Sequence, residues 1–217
     1  MEKTIHFISG LPRSGSTLIA NVLKQNPTIH GESVSSLASV FGSVNASWNS
    51  IEANQEYDNP AAKKGVLGSI LQGYYGHIDK PVVIDKDRGW IPLMSQVESV
   101  LDRKAKIIVC VRNPAEILTS FERLRKENPL FFTRADAVLR EGSNISSRAF
   151  YYAGPDGALG LSHRNLKDAV TMGYLDRLLF VDYNRYCNSP KSQTKRIYDF
   201  LELPHYDHDF DNIVQTE

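Results

Sequence analysis

The chain has 217 residues, with 25 Lys plus Arg balancing 25 Asp plus Glu, 41% hydrophobic residues and two cysteines. That length suits one globular domain able to bury roughly 70% of its unfolded surface without staples, and the composition excludes collagen, coiled coil and a disordered tail. Zero net charge removes a global electrostatic case for nucleic acid or an anionic membrane, and two cysteines are too few for a disulfide framework or a four-cysteine zinc site.

The first apolar run, Thr4 to Ser9, is expected to be a buried strand; it is too short for a signal-peptide core and is interrupted by His6, which reads as structural. No window approaches a membrane span, so a cytoplasmic location is expected, with the triplets at Asn45 and Asn144 as chance glycosylation matches. Leu18, Ile19, Val22 and Leu23 then recur at helical spacing, as do Val66, Leu67, Ile70, Leu71 and Tyr74. A second strand, Pro81 to Ile84, follows, and a third, Ala105 to Val111, contains Cys110 as a buried thiol. Ile117, Leu118, Phe121 and Leu124 mark the next helix. Residues 128–166 show no period and are expected to be a loop-rich insertion, whose Phe131, Phe132, Phe150, Tyr151 and Tyr152 fit either an acceptor pocket or a satellite core. A fourth strand, Leu178 to Val181, precedes Ser189-Pro190, an N-cap and first-turn pair opening a helix with Ile197, Phe200 and Leu201 on one face. Strand and helix alternate, so the expected architecture is α/β, a mostly parallel sheet flanked by helices in a single domain over residues 1–217. The tail His205-Tyr206-Asp207-His208-Asp209 needs no metal, and the chain stops soon after it, as one truncated from something longer would.

Gly10-Leu11-Pro12-Arg13-Ser14-Gly15-Ser16-Thr17 lies between the first strand and first helix and has the form of a phosphate loop. Glycines at its first and sixth positions let backbone N–H groups curl around an anion, the helix start faces the same place, and the hydroxyls of Ser14, Ser16 and Thr17 add donors. Nucleotide hydrolases place Lys immediately before the last hydroxyl residue, where this chain has Ser16; Arg13 supplies the cation instead. The third strand ends in Arg112-Asn113 where a magnesium-binding Asp would stand, so the site suits a less charged donor handled without metal. Arg112, followed by Pro114 and by Ser120, forms a second anion site, although an Arg at a strand end with a Ser on an ordinary helix reads the same way in isolation.

These residues resemble the sulfotransferases that use 3'-phosphoadenosine 5'-phosphosulfate (PAPS). Leu11 through Leu18 is similar to their 5'-phosphosulfate loop, and Arg112 through Ser120 to their 3'-phosphate motif. Phe180-Val181-Asp182-Tyr183 is similar to a later segment in which Tyr183 approaches the nucleotide. Gly31-Glu32 and Lys86-Asp87 resemble the catalytic glutamate and lysine of the tyrosylprotein branch and its bacterial relatives, while the histidine of the small-molecule branch is replaced by Asp87-Arg88. The resemblance implies a three-layer P-loop fold and in-line sulfonate transfer to a hydroxyl of a small molecule, glycan or peptide tyrosine, releasing adenosine 3',5'-bisphosphate without metal, nucleic acid or membrane. It makes Glu32 the general base, with His30 close enough in sequence to assist it or to serve in its place, and Lys86 with Arg13 the stabilisers of transition-state charge. Donor binding falls to Pro12, Arg13, Ser14, Gly15, Ser16, Thr17, Arg112, Ser120 and Tyr183. By residue type alone, Glu32 also fits a helix cap, Lys86 an exposed ion-pair cluster with Asp85, Asp87 and Arg88, and Ser120 a bond within its own helix. The alternatives in function are a P-loop kinase or nucleotide hydrolase, and a nucleotide-binding relative without catalysis.

Overall fold

The computed structural model describes residues 3–128, 134–139 and 144–214. Five strands build its sheet: β1 Thr4–Gly10, β2 Ile29–Gly31, β3 Val82–Lys86, β4 Ile107–Val111 and β5 Leu178–Asp182. All are paired parallel in the order β2-β3-β1-β4-β5. Every strand therefore presents its carboxyl end on one edge. The chain leaves β1 towards β2 and returns to the opposite side of β1 for β4, so the crevice above β1 is the topological switch point where ligands bind in open α/β sheets.

Four of the strands lie where branched apolar runs place them. The fifth, β2, is only three residues long and carries no periodic signal. The alternation of side chains gives each face its own core. On one face Ile5, Phe7, Val83, Ile107 and Val109 pack with Leu37, Phe41, Leu71, Tyr75, Trp90, Ile117 and Leu166. These come from α2 Leu37–Ser50, α4 Pro60–Tyr74 and the residue after it, the 3₁₀ turn Arg88–Trp90, α6 Pro114–Glu127 and α9 Ala158–Thr171. On the other face Ile8, Ile84, Ile108, Cys110 and Val181 pack with Ile19, Leu23, Tyr186 and Ile197. Those belong to α1 Ser16–Leu23, α10 Tyr183–Asn188 and α11 Pro190–Leu201, completing three layers. Two smaller helices, α3 Glu52–Glu56 and α5 Met94–Leu101, flank α4 in the sequence.

Local chemistry explains several helix starts. Asn59 accepts from Ala62 N at 3.0 Å ahead of Pro60, and Asn113 accepts from Ala115 N at 2.9 Å ahead of Pro114. Ser189 precedes Pro190 as expected, but its hydroxyl does not cap α11; proline's fixed φ suffices there. The expectation of a loop-rich segment over 128–166 is corrected for its described part. Between α7 Arg134–Leu139 and α9 stands α8 Ile145–Ala153, opened by a capping box in which Asn144 Oδ1 accepts from Ser147 N and Ser147 Oγ accepts from Asn144 N, both at 2.9 Å. Arg148 binds Glu122 through Nε (2.8 Å) and Nη2 (2.6 Å), tying α8 to α6. Polar caps and an ion pair hold α8, together with Tyr152 stacked on Phe121, while α9 is held by Leu159, Leu166 and Ala169 in the core. Phe131 and Phe132 lie outside the described residues.

Candidate active site

The loop from Gly10 to Ser16 is shaped by what its glycines allow. Gly10 has φ +120°, and a Cβ there would stand 2.2 Å from the Cys110 carbonyl oxygen, so β1 and β4 approach as closely as they do only with glycine. Gly15 has φ +87°, and its added Cβ would meet the Tyr183 ring at 2.4 Å. Arg13 between them holds φ 54°, an uncommon left-handed conformation for a side-chain-bearing residue and one that clusters at ligand clamps. No side chain caps α1, which leaves the N–H groups of its first turn facing the loop. The loop thus fits an anion by backbone geometry. Ser14 departs from its expected role: its hydroxyl is buried, 2.5 Å from Leu11 O and 3.0 Å from Cys110 O, and fastens the loop from inside. Pro12 is also buried, whereas Ser16 and Thr17 are partly exposed.

The second candidate anion site adjoins the first. Arg13 Nε donates to Ser120 Oγ at 3.2 Å, so Ser120 faces the loop and is not spent within α6. Arg112 lies with its guanidinium 4.3 Å from the Tyr183 ring centroid, a cation–π contact, and Nη1 reaches Arg13 O at 3.4 Å. Tyr183 therefore bridges both sites, one flank against Gly15 and its face against Arg112. Arg112 Nε also donates to Glu116 at 2.8 Å, and Asn184 Nδ2 to the same carboxylate at 3.2 Å. Those bonds, Arg112's foremost, hold the Glu116 carboxyl below the usual range. Glu116 and Asn184 were not among the residues singled out from sequence; the i,i+4 spacing of Arg112 and Glu116 was the available signal.

Lys86 ends β3 beside Ile8 and lies close to Cys110, and among the described residues its ammonium has no ion-pair partner. Burial lowers its pKa. Cys110 is wholly buried and its thiol is pushed up to about 12 by desolvation, so it is inert packing, as expected. The ion-pair cluster at this strand end does not form: Asp87 accepts from Gly89 N at 2.6 Å and caps the 3₁₀ turn, while Asp85 is buried, accepting from Tyr75 Oη and from Trp90 Nε1 at 2.5 Å. Glu32 caps nothing. It follows β2, on the strand next to β3, with Oε1 3.1 Å from His30 Nε2. No hydrogen bond links it to Lys86 among the described residues.

Other sequence candidates fall elsewhere. Phe150 is 80% exposed and Tyr152 stacks on Phe121 at 4.3 Å, so these rings do not converge on one pocket. In the tail, His205 pairs with Asp199 and His208 with Tyr198 Oη; among the described residues no cluster of three or more His, Cys, Asp or Glu is grouped to hold a metal ion.

A wholly parallel sheet with a glycine loop at its switch point, two adjoining cationic sites and a lysine where a strand ends defines a phosphate-loop transferase. Residues 3–216 match the sulfotransferase domain, and the chain belongs to that family. Sulfonate transfer is its chemistry. No curated protein matches it in sequence. Among solved structures it is similar to the sulfotransferase domain of the curacin biosynthetic pathway (19% identity, TM-score 0.57, 95% of this chain and 76% of that one). It is also similar to a sulfotransferase from Alicyclobacillus acidocaldarius (15%, 0.57, 98% and 86%). A third similar fold is retinol dehydratase in complex with androsterone and the inactive cofactor PAP (17%, 0.53, 95% and 62%).

Proposed function

We propose that the chain transfers a sulfonate from PAPS to the hydroxyl of an acceptor. The observation that carries this reading is the hydrogen bond from Arg13 to Ser120, which makes the glycine loop and the Arg112 site two halves of one surface suited to a nucleotide phosphorylated at both 5' and 3' positions. When bound, the donor supplies a sulfonate activated by a phosphate leaving group. The α1 N-terminus and the loop N–H groups hold the 5' end, and Arg112 with Ser120 holds the 3' phosphate, with Tyr183 along the nucleotide. Glu32 accepts the acceptor's proton as the new S–O bond forms. Lys86 and Arg13 stabilise negative charge on the bridging oxygen as the old S–O bond breaks, each donor being worth about 3 kcal/mol when well placed. The depressed pKa of Lys86 eases proton delivery to that oxygen. The fit to retinol dehydratase, which holds PAP beside androsterone, supports the same donor and favours a small hydroxyl compound as acceptor.

Thermal unfolding with adenosine 3',5'-bisphosphate, set against ATP plus magnesium, tests the donor. At a hundredfold excess over Kd the bisphosphate should add about 2.7 kcal/mol, roughly 5 to 10 °C. Absence of that shift sinks the reading. Glu32→Gln should keep the shift and lose turnover; a fully active variant would remove Glu32 as base.

A further inference from the structure

We infer that His30 is a positioning residue for Glu32, and that Tyr75 and the buried carboxylate of Asp85 hold it in place. This rests on Glu32 acting as the base. The geometry begins with β2: Ile29 and Gly31 turn towards α1, where Gly31 packs on Ala20 O, so His30 and Glu32 share the opposite face two residues apart. His30 is 16% exposed and Glu32 31%. The imidazole meets the Tyr75 ring edge-on, at 5.4 Å between centroids and 61° between planes. Tyr75 is itself completely buried, and its hydroxyl donates to Asp85.

Among the described residues no cation is hydrogen-bonded or ion-paired to the Asp85 carboxylate. It is fully buried and accepts from two separate elements, Tyr75 Oη after α4 and Trp90 Nε1 in the 3₁₀ turn, with Ser35, in the loop that follows Glu32, close by. Ser35 Oγ in turn accepts from Leu37 N at 2.9 Å, fixing the start of α2. Through Tyr75 the buried Asp85 carboxylate steadies the ring of His30, and through Trp90 the turn that follows β3, while its own chain neighbour is Lys86. Such a network is stabilising only when every member is satisfied, and here each member has a partner.

With its Nε2–H directed at Glu32 Oε1, His30 occupies one carboxylate oxygen and leaves Oε2 to take the acceptor's proton. The titratable groups around His30 are Glu32 just past the end of its strand, Tyr75 after α4, and Lys80, whose ammonium donates to Ile29 O. A donor on one oxygen fixes the orientation of the carboxylate, so loss of His30 should cost turnover without costing donor binding.

The experiment compares His30→Phe, which keeps a ring against Tyr75, with His30→Gln, which restores an N–H near the Nε2 position. His30→Phe should lower kcat 10- to 100-fold, as roughly expected for a misplaced base. Its donor KM and bisphosphate thermal shift should stay at wild-type values. His30→Gln should recover kcat to within a few fold. Wild-type kcat in His30→Phe overturns the inference, as does a His30→Gln variant no better than His30→Phe. If His30→Phe does not fold, Tyr75→Phe, which lacks only the hydroxyl that Asp85 holds, should show a lowered kcat with donor KM unchanged; a wild-type kcat there counts against the role. Adding His30→Phe to Glu32→Gln should change nothing further, whereas full activity of Glu32→Gln alone would refute the base assignment separately.

Discussion

His6 lies on β1, 3% exposed, and neither ring nitrogen has a hydrogen-bond partner among the described residues. Desolvation, then the nearby charges of Arg103 and Lys106, lowers its pKa to about 3 from the 6.5 of an unfolded chain. Between those values the unfolded state binds a proton that the folded state refuses. The neutral imidazole's stability is therefore complete above about pH 6.5 and is lost as the pH falls towards 3, at about 1.4 kcal/mol per unit. His6→Leu should flatten that acid limb and, by removing two unsatisfied nitrogens, match or exceed wild-type stability at neutral pH. Urea midpoints at pH 7 and pH 5 measure it; an equal drop in both proteins would clear His6 of the effect. Single residues also mark where sequence misleads. Asp85 stands in a run of four charged residues that reads as solvated, yet strand alternation turns it inward to Tyr75 and Trp90, because it falls in register with Phe7 on the core face.

Among the elements, the phosphate loop was legible from its residues because glycine spacing dictates backbone shape directly, and the conformations at Gly10 and Gly15 match that expectation. Gly15→Ala tests it. A methyl group there meets a left-handed backbone and the Tyr183 ring at 2.4 Å, so roughly 2 kcal/mol of stability should go. Displacing Tyr183 should also erase the thermal shift given by adenosine 3',5'-bisphosphate; a retained shift would show that Tyr183 and the loop act independently. Strand β2 was not legible. Three residues are too few to show a period, and with that strand unseen the shared face of His30 and Glu32 could not be drawn. Helix α8 was missed for a different reason: it is set by the Asn144 and Ser147 reciprocal bonds and by the Arg148–Glu122 pair, which leave no apolar repeat, whereas the core residues Leu159, Leu166 and Ala169 of α9 did leave one.

For the whole molecule, parallel architecture and the place of the site followed from alternating strands and helices, since a switch point arises wherever the chain reverses direction across such a sheet. Neutral overall charge conceals a local pattern in which Arg13, Lys86 and Arg112 all rise at one edge. That edge is completed by β5 and by Tyr183, which immediately follows it and closes on Gly15 in the loop after β1. In a protein synthesised from its amino terminus, the anion loop leaves the ribosome well before the ring that braces it. The donor should then find its site complete only once Tyr183 has emerged. A protein ending at Arg177 should show no bisphosphate-dependent rise in melting temperature, and a rise as large as the full chain's would mean that the loop matures without its final strand.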